Sequence, residues 1–250
     1  MAKITGLAQN LYVAGVDLSG DTGSLSGVHG GFAPIDVTSI NRSAYERIGG
    51  RRDGGLSWVS FFNDAASAAH LTLRGLPTTD VHVMYVAATS VGGAAVCGVV
   101  KQMDYAGTRA SDGTLTFDVP TMGNGFGIEM MGAGADGMLT AGLRTDTAAT
   151  NGTSIDYGAV STLFGLSAYL QVTAFTGTTI TFTIQDSADN VSFAAVTDAT
   201  FAAVTAAPAV ERIQTTATQT VRRYVRLATT GTFTSCTFAV AFIRHQTATL

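Results

Sequence analysis

The alternation of hydrophobic and polar residues is clearest between Gly49 and Ala88, where it predicts a strand, a short helix and a second strand. Leu56–Phe62 is rich in aromatic and β-branched residues, which favours a strand after the Gly-rich run 49–55, interpreted as a turn. The alanines of residues 64–74 have high helix propensity, so this segment is predicted to be the helix. Asp80–Ala88 alternates again and is expected to form the second strand.

The predicted helix carries recognisable signals at both of its ends. Asn63 or Asp64 is expected to cap the start by accepting a hydrogen bond from an unpaired N–H of the first turn. At the other end, Gly75 suits the left-handed closing conformation, and Pro77 prevents the helix from resuming. We therefore predict one helix, which flanks a fold made mainly of strands.

The rest of the N-terminal part is predicted to consist of strands joined by loops. The strands are expected at Leu11–Leu18, Pro34–Ile40, Ala94–Met103 and Thr114–Val119. Ser19–Gly31 is dense in Gly, Ser and Asp and is interpreted as a long loop, of the kind that usually binds a partner. Ser43–Ile48 is expected to form a single helical turn, and Gly123–Gly142 a loop or an irregular strand pair.

The strand pattern sharpens in the C-terminal part of the chain. The unpatterned segment Asp146–Gly158 suggests a boundary, so we expect domains at 1–150 and 151–250. The second is a separate β-sandwich-like portion, part of one continuous fold, or a second related half. Thr176–Gly177 and Thr230–Gly231 have the length of hairpin turns. Two rows are expected to face the core: Ile180, Phe182 and Ile184, and Phe238, Val240 and Phe242.

The charge content of the chain is low and its balance is acidic. Only 13% of residues are charged and the net charge is −4, whereas ordinary domains contain about 25% charged residues. Because interface cores are depleted in charge, this composition predicts a protein that assembles with copies of itself. Lysines and arginines are too few and too scattered to predict tight nucleic-acid binding. No apolar run reaches the ~18–20 residues that span a membrane, and the start does not resemble an export signal.

The motifs that suggest chemistry each have a simpler structural interpretation. Gly132–Gly137 matches the dinucleotide-binding fingerprint, but no helix is predicted after it, so a flexible loop is favoured. Asp186, Asp189 and Asn190 are calcium-type ligands that also suit a tight turn, which we favour. Cys97 and Cys236 are interpreted as buried thiols. We therefore predict no enzyme activity, no cofactor and no metal.

Two parts of the chain resemble a known family. Arg47–Ala87 resembles the central region of the tail tube (major tail) proteins of long-tailed bacteriophages. Ser154–Val196 and Arg222–Arg244 are similar to the C-terminal region of such proteins in phages of actinobacteria. The resemblance implies a tail-tube-like antiparallel β-sandwich or barrel with a flanking helix and a β-rich C-terminal portion.

The resemblance also implies a function and a set of partners. Such proteins form hexameric rings, or trimeric rings where two tube-like halves are fused, and the rings stack into a tube around a tape-measure protein. Tail terminator and distal tail proteins are the further partners that it implies. DNA passes through the tube without specific binding, so the wall of the bore is expected to be neutral or negative. The implied location is the virion tail, assembled in the host cytoplasm.

Candidate contact residues lie in three segments. The Ser19–Gly31 loop and the Gly123–Gly142 stretch are expected to contact neighbouring subunits or rings. These segments include Ser19, Asp21 and His29, and Gly132 and Asp136, respectively. Arg51, Arg52 and Asp53 are candidates for inter-subunit ion pairs, and a solvated turn explains them equally well. The rival function is a virion decoration or receptor-binding protein that holds sugar around Asp186–Phe193.

Overall fold

A computed structural model describes residues 8–76, 78–132, 136–158 and 161–247. Strands, counted with isolated bridges, make up 59% of the described residues and helix 2%. The predicted fold class, mainly β with antiparallel sheets and one short helix, is confirmed.

Nine of the described strands lie before residue 132 and seven lie after it. The first nine are β1 (Asn10–Val13), β2 (Val16–Asp17), β3 (Thr22–Asp36), β4 (Arg47–Phe61), β5 (Val81–Val86), β6 (Ala95–Gln102), β7 (Ala106–Arg109), β8 (Leu115–Val119) and β9 (Thr121–Met131). The helix α1 (Ala69–Leu73) lies between β4 and β5 in the chain. The remaining strands are β10 (Gly137–Met138), β11 (Arg144–Asp146), β12 (Ile155–Asp156), β13 (Leu166–Ser187), β14 (Ala194–Thr200), β15 (Ala209–Gln214) and β16 (Tyr224–Arg244).

Within the described residues these strands form three sheets. One has the order β2-β1-β5-β6-β9 and another the order β3-β4-β8-β7. The third is built on the long pair β13 and β16; β14 and β15 pair with β13, and β10, β11 and β12 pair with β16.

The chain divides into two compact units, each drawn from separate segments. Unit 1 contains the described residues of Met1–Gly20, His82–Cys97 and Met130–Leu250, and unit 2 those of Asp21–Val81 and Gly98–Glu129. Residues on both sides of position 150 lie in unit 1, and a functional division at that position stays a prediction.

The helix α1 is shorter than predicted and is capped differently. It covers only Ala69–Leu73, and neither Asn63 nor Asp64 caps it. Instead, the Asp21 carboxylate accepts hydrogen bonds from the Ala69 N–H at 2.9 Å and from the Asn63 Nδ2 at 2.8 Å. A distant carboxylate therefore serves as the cap, which local spacing could not predict. The predicted stop at Pro77 lies outside the described residues.

The predicted loop at 19–31, the helical turn at 43–48 and the turn at 49–55 are wrong. These segments belong largely to one hairpin, in which β3 and β4 are 15 residues long and pair from Thr22↔Ser60 to Asp36↔Arg47. None of the glycines at 30, 31, 49, 50, 54 or 55 has a positive φ. A Cβ on Gly54 would lie 2.5 Å from the His29 carbonyl oxygen, and one on Gly55 2.3 Å from that of Thr121. These two glycines therefore permit close strand contact rather than chain reversal.

The two predicted C-terminal hairpins are also wrong, because β13 and β16 are single strands of 22 and 21 residues. They pair with each other along most of their length, and the register shifts on both sides of Gly177. A Cβ on Gly177 would lie 2.4 Å from the Phe233 Cα. The glycine therefore marks an irregularity within a long ribbon.

The predicted inward rows of unit 1 are confirmed. All six side chains, at 180, 182, 184, 238, 240 and 242, are fully buried in one hydrophobic core cluster. Phe182 and Phe238 meet edge to face, with ring centroids 4.7 Å apart. Both cysteines are buried, as predicted. In unit 2 the largest buried side chain is Trp58 on β4.

The Gly-rich stretch 123–142 is more regular than predicted. Most of its first part belongs to β9, so the loop interpretation is wrong there. Residues 133–135 of the fingerprint-like segment lie outside the described residues. The segment continues into the strand β10 rather than a helix, so the fingerprint lacks the helix that would hold a pyrophosphate.

Candidate assembly surface

The distal part of the β3–β4 hairpin, residues 29–53, is the most exposed segment of unit 2 and is called the hairpin arm below. All of its residues are exposed except Thr38 and Gly50, which are half-buried. Its paired part from Gly31 to Asp36 extends over roughly 20 Å at the usual rise per residue. An exposed two-stranded ribbon is marginally stable unless something packs on it.

The hairpin arm carries large hydrophobic side chains that its own chain does not cover. Six of them are exposed: Phe32 by 55%, Ile35 by 47%, Val37 by 45%, Ile40 by 106%, Tyr45 by 70% and Ile48 by 54%. Scattered apolar residues on a surface are ordinary, but a contiguous group marks an interaction site. The concentration of six in one ribbon therefore indicates a binding surface.

Phe32, Ile35 and Ile48 lie in the paired strands of the arm, and the other three exposed apolar residues lie in the connection between the strands. Ile35 pairs with Ile48, so the two isoleucines lie side by side on one face. A Cβ on Gly50 would lie 3.1 Å from the Ile35 Cδ1, and one on Gly49 3.2 Å from the Phe32 Cγ. The two glycines therefore leave Ile35 and Phe32 without a neighbouring side chain at these points, and their surfaces stay open.

Polar contacts hold the tip of the hairpin arm in place. The Asp36 Oδ1 accepts hydrogen bonds from the Thr38 N–H at 2.9 Å and from its hydroxyl at 2.6 Å, and these bonds lower the pKa of Asp36. The Thr38 hydroxyl in turn accepts from the Glu46 N–H at 2.8 Å, and Glu46 pairs with Arg42 at 3.1 Å. The tip is thus ordered without burying its apolar residues, which reduces the entropy lost on binding.

Three of the predicted contact residues lie close together on the hairpin arm. Arg51, Arg52 and Asp53 are consecutive and exposed on β4. Within the described residues neither arginine makes an ion pair, and the Asp53 Oδ1 accepts from the Gly54 N–H at 2.7 Å. His29 is exposed at the base of the arm, paired with Gly55. Ion pairs to another subunit stay a prediction for these residues.

The other predicted contact residues lie elsewhere and make local contacts. Ser19 accepts a hydrogen bond from the Leu11 N–H at 3.0 Å and donates one to Asp17. Asp21 caps α1, as described above. In unit 1, Asp136 accepts from the Gly132 N–H at 2.9 Å, and burial raises the pKa of its carboxyl. Their roles between subunits likewise stay predictions.

A second feature of unit 2 is a cluster of four rings, Phe62, His70, Tyr105 and Phe117, called the aromatic patch below. The Tyr105 and Phe117 rings stack with centroids 4.3 Å apart, and the His70 ring lies 4.6 Å from that of Phe62. Phe62 is 41% exposed, and the other three are half-buried. The Phe117 ring covers Gly107, where a Cβ would lie 2.7 Å from it.

The sequence analysis identified four polar residues of the hairpin arm, at 29, 51, 52 and 53, as contacts, but not the arm's exposed apolar side chains, and it did not identify the aromatic patch. The signal that could have predicted the ribbon was the strand-like alternation of side chains over residues 32–36, together with the Gly pairs at 30–31 and 49–50. We interpreted those glycines as loop and turn residues and therefore did not predict the ribbon. The aromatic patch joins the residue that directly follows β4 with residues from α1, the β6–β7 connection and β8, so no local pattern predicts it.

The turn interpretation is confirmed for Asp189 and Asn190, which lie in the connection between β13 and β14, whereas Asp186 lies within β13. The Asp189 Oδ1 accepts from the Ser187 hydroxyl at 2.7 Å and from the N–H groups of Val191 and Ser192 at 2.9 and 2.8 Å. These bonds, the first above all, hold the pKa of Asp189 well below its usual range. Asp186 is buried and bound by Arg222. Among the described residues there is no group of three or more His, Cys, Asp or Glu that suits a metal ion.

The strand β9 lies at the edge of its sheet among the described strands. It exposes Met122 by 49% and Phe126 by 45% on one side. An edge strand offers unpaired N–H and C=O groups to another chain, and exposed apolar residues beside it favour such pairing.

None of the described helices is long and apolar enough to cross a membrane.

Comparison with known proteins gives matches only among solved structures. No family model matches the chain, and no curated protein matches it. The tail of a gene transfer agent particle matches with a TM-score of 0.38 and 16% identity, covering 52% of this chain and 99% of that chain. The SPP1 Dit protein, from the hub of the adsorption apparatus, matches with a TM-score of 0.32 and 11% identity, covering 95% of this chain and 100% of that chain.

A third match is the phage p2 baseplate, with a TM-score of 0.31 and 8% identity, covering 96% of this chain and 99% of that chain. The structural neighbours are thus components of phage tails, hubs and baseplates. Their TM-scores are low, and the function proposed below rests on the residues of this chain.

Proposed function

We propose that the chain is a structural protein of a phage tail, specifically a tail tube protein, whose copies assemble into rings that stack into a tube. The ring has six copies, or three if the chain contains two tube-like halves. The tube surrounds a tape-measure protein and later conducts DNA. Sequence resemblance supports the family, and the low charge content supports self-assembly.

The observation that carries this proposal is the hairpin arm. Its six exposed apolar side chains are costly in water, because full burial of a large apolar side chain stabilises by roughly 1.5–3 kcal/mol and these side chains are buried by about half or less. A protein that repeats itself can cover such a ribbon with an identical neighbour at every position. The order of the arm tip shows that the ribbon is a built element, which suits a repeated contact.

The edge strand β9 supports the same conclusion. Pairing of this edge with a neighbouring copy would continue the sheet from subunit to subunit and remove the unpaired backbone groups. Heterologous contacts of this kind close into rings when the rotation between copies divides a full turn.

The charge distribution supports a conduit that does not retain DNA. The main concentration of cations in unit 1, Arg222, Arg223 and Arg226, is largely engaged within the chain. Arg222 binds Asp186, Arg223 binds Asp156, and Arg226 donates to Gln185 at 2.9 Å. Cations already engaged with protein groups bind phosphate weakly, which allows a strand to slide.

No observation favours the rival sugar-binding function at Asp186–Phe193. Asp186 and Asp189 accept hydrogen bonds from the chain itself, and the Arg226 guanidinium covers the Phe193 ring at 4.0 Å. A sugar site needs free polar groups beside an open aromatic face, and these groups are occupied.

The test uses the purified full chain at increasing concentration. Sedimentation velocity and negative-stain microscopy are expected to show concentration-dependent rings or stacked tubes for the wild type. The arm variant Phe32→Ser/Ile35→Ser/Ile48→Ser should keep its far-UV circular dichroism and lose assembly. Val191→Ser, which removes an 81% exposed apolar side chain outside the arm, is the matched control and should assemble normally. A wild-type protein that remains a monomer at every concentration would refute the proposal.

A further inference from the structure

The aromatic patch and the hairpin arm are chemically complementary. The patch includes the exposed Phe62 ring, and the exposed Asp64 and Asp104 lie within two residues of patch rings in the sequence. The arm has exposed apolar side chains and the exposed Arg51 and Arg52. We propose that the aromatic patch of one copy receives the hairpin arm of a second copy, with the two arginines over the rings and beside the two carboxylates. This inference rests on the proposed self-assembly and names the surface that receives the arm.

The distribution of charge within unit 2 favours this pairing. The hairpin arm contains four arginines and three acidic residues, which gives a net charge of +1. The rest of unit 2 contains three cations and seven acidic residues, which gives −4. Two copies therefore attract each other when the arm of one meets the body of the other, whereas contact between two arms is mildly repulsive.

The arrangement of arginines elsewhere in the chain shows how the free pair would bind. Arg244 lies over the Tyr157 ring at 3.7 Å, Arg226 over Phe193 at 4.0 Å, and Arg47 over Tyr45 at 4.6 Å. A guanidinium on an aromatic face is favourable, and more so when water is excluded. Within the described residues Arg51 and Arg52 contact no ring, and the aromatic patch receives no guanidinium. Each surface thus lacks the group that the other supplies.

Apolar contact would accompany the charged contact. Leu71, next to His70 in α1, is 42% exposed, and Met103, close to Tyr105 in sequence, is 55% exposed. These two residues are exposed apolar area close in sequence to the patch, where Phe32 and Ile35 of an incoming arm could pack. A neighbour that buried these side chains would cover the exposed apolar area of both surfaces in one contact.

A charge-reversal series in the full chain tests the pairing. Arg51→Asp/Arg52→Asp on the arm and Asp64→Arg/Asp104→Arg beside the patch should each raise the concentration needed for assembly at least about tenfold. The variant that combines all four substitutions should return to within about threefold of the wild type, because attraction is restored with the signs exchanged.

The matched control is Asp118→Arg. Asp118 follows Phe117 in β8, so its side chain lies on the opposite face of the same sheet, and it is exposed. This variant should assemble like the wild type. Equal impairment by Asp118→Arg, or normal assembly by Asp64→Arg/Asp104→Arg, would overturn the inference.

A second measurement detects the contact directly. Arg52→Cys protein and Asp104→Cys protein, mixed in equal amounts with a mild oxidant, should form a disulfide-linked dimer; Arg52→Cys with Asp118→Cys should not. The native thiols are buried and do not compete. If assembly depends on the arm, but no cross-link forms and the patch substitutions have no effect, this inference is wrong and the proposed function stands. A wild type that never assembles would remove both.

Discussion

Replacement of Asp186 by Asn tests whether a partly buried ion pair holds the end of β13 to Arg222, two residues before β16. Asp186 is 4% exposed near the end of β13. Its carboxylate accepts hydrogen bonds from the Arg222 N–H and Nε, both at 2.7 Å. The Arg222 Nη2 also donates to the Asp186 carbonyl oxygen at 2.7 Å. The substitution keeps the shape of the side chain and removes its charge.

The expected loss of stability follows from the burial of the pair. Removing one partner of a buried ion pair costs roughly 3–5 kcal/mol, because the other charge stays behind without compensation. The Arg222 side chain is 34% exposed, so water compensates part of this cost. We expect the free energy of unfolding to fall by about 2–3 kcal/mol. For a chain of this length, this corresponds to a fall in Tm of roughly 4–12 °C.

The neighbouring pair provides a matched control for this measurement. Arg223 binds Asp156 with two hydrogen bonds at 2.6 and 2.8 Å, but both side chains are more than 40% exposed. Asp156→Asn should therefore cost much less stability than Asp186→Asn. Urea unfolding followed by far-UV circular dichroism measures both variants. Similar losses for the two variants, or a loss below about 0.5 kcal/mol for Asp186→Asn, would refute the reasoning.

Three further predictions concern the strand irregularity, the thiols and the arm tip. Gly231→Ala should lower the free energy of unfolding by about 3 kcal/mol in urea titration, because φ is +129° and a Cβ would lie 2.3 Å from the Thr179 oxygen. Gly20→Ala, in open space, should be neutral. Cys236 should react with a thiol reagent only after denaturation, since burial raises its pKa to about 12; labelling of the native protein would contradict this. The lowered pKa of Asp36 means that its contact with Thr38 is present above the ordinary Asp pKa. The contact is lost as the pH falls through the lowered pKa of Asp36. Hydrogen exchange of the Thr38 amide, corrected for the intrinsic exchange rate, should therefore show a loss of protection at that low pH but not at neutral pH.

Several features of the fold could be predicted from local pattern because neighbouring residues determine them. The inward row Ile180, Phe182 and Ile184 follows from strand periodicity together with a core on one face, and burial of the row confirms it. The helix was placed near its true position by its alanines, although its start was set by Asp21. The left-handed closing conformation predicted for Gly75 is wrong, because Leu76 has the positive φ there. The turn at Asp189 was likewise predictable, because a short carboxylate binds the backbone a few residues ahead.

The candidate surfaces were harder to predict because each depends on which strands become neighbours. The Gly-rich run 49–55 is compatible with a turn and equally compatible with a strand that packs closely against another strand. Only the segments that pair with it decide between these two structures. Here the partners are His29 and Thr121, whose carbonyl oxygens leave no room for a Cβ. The same ambiguity produced the false hairpin at Gly177.

The sequence by itself determined the β-rich composition, the inward apolar rows, the single helix, the buried thiols and the scarcity of charge, because these depend on residue type and spacing. Only the tertiary structure decided that the glycines extend strands instead of reversing them, that Asp21 caps a helix distant in sequence, and that the hairpin arm leaves its apolar residues uncovered. The physical reason is that burial and strand contact are properties of pairs of segments, and the pairing of distant segments is not encoded in any local stretch of the chain.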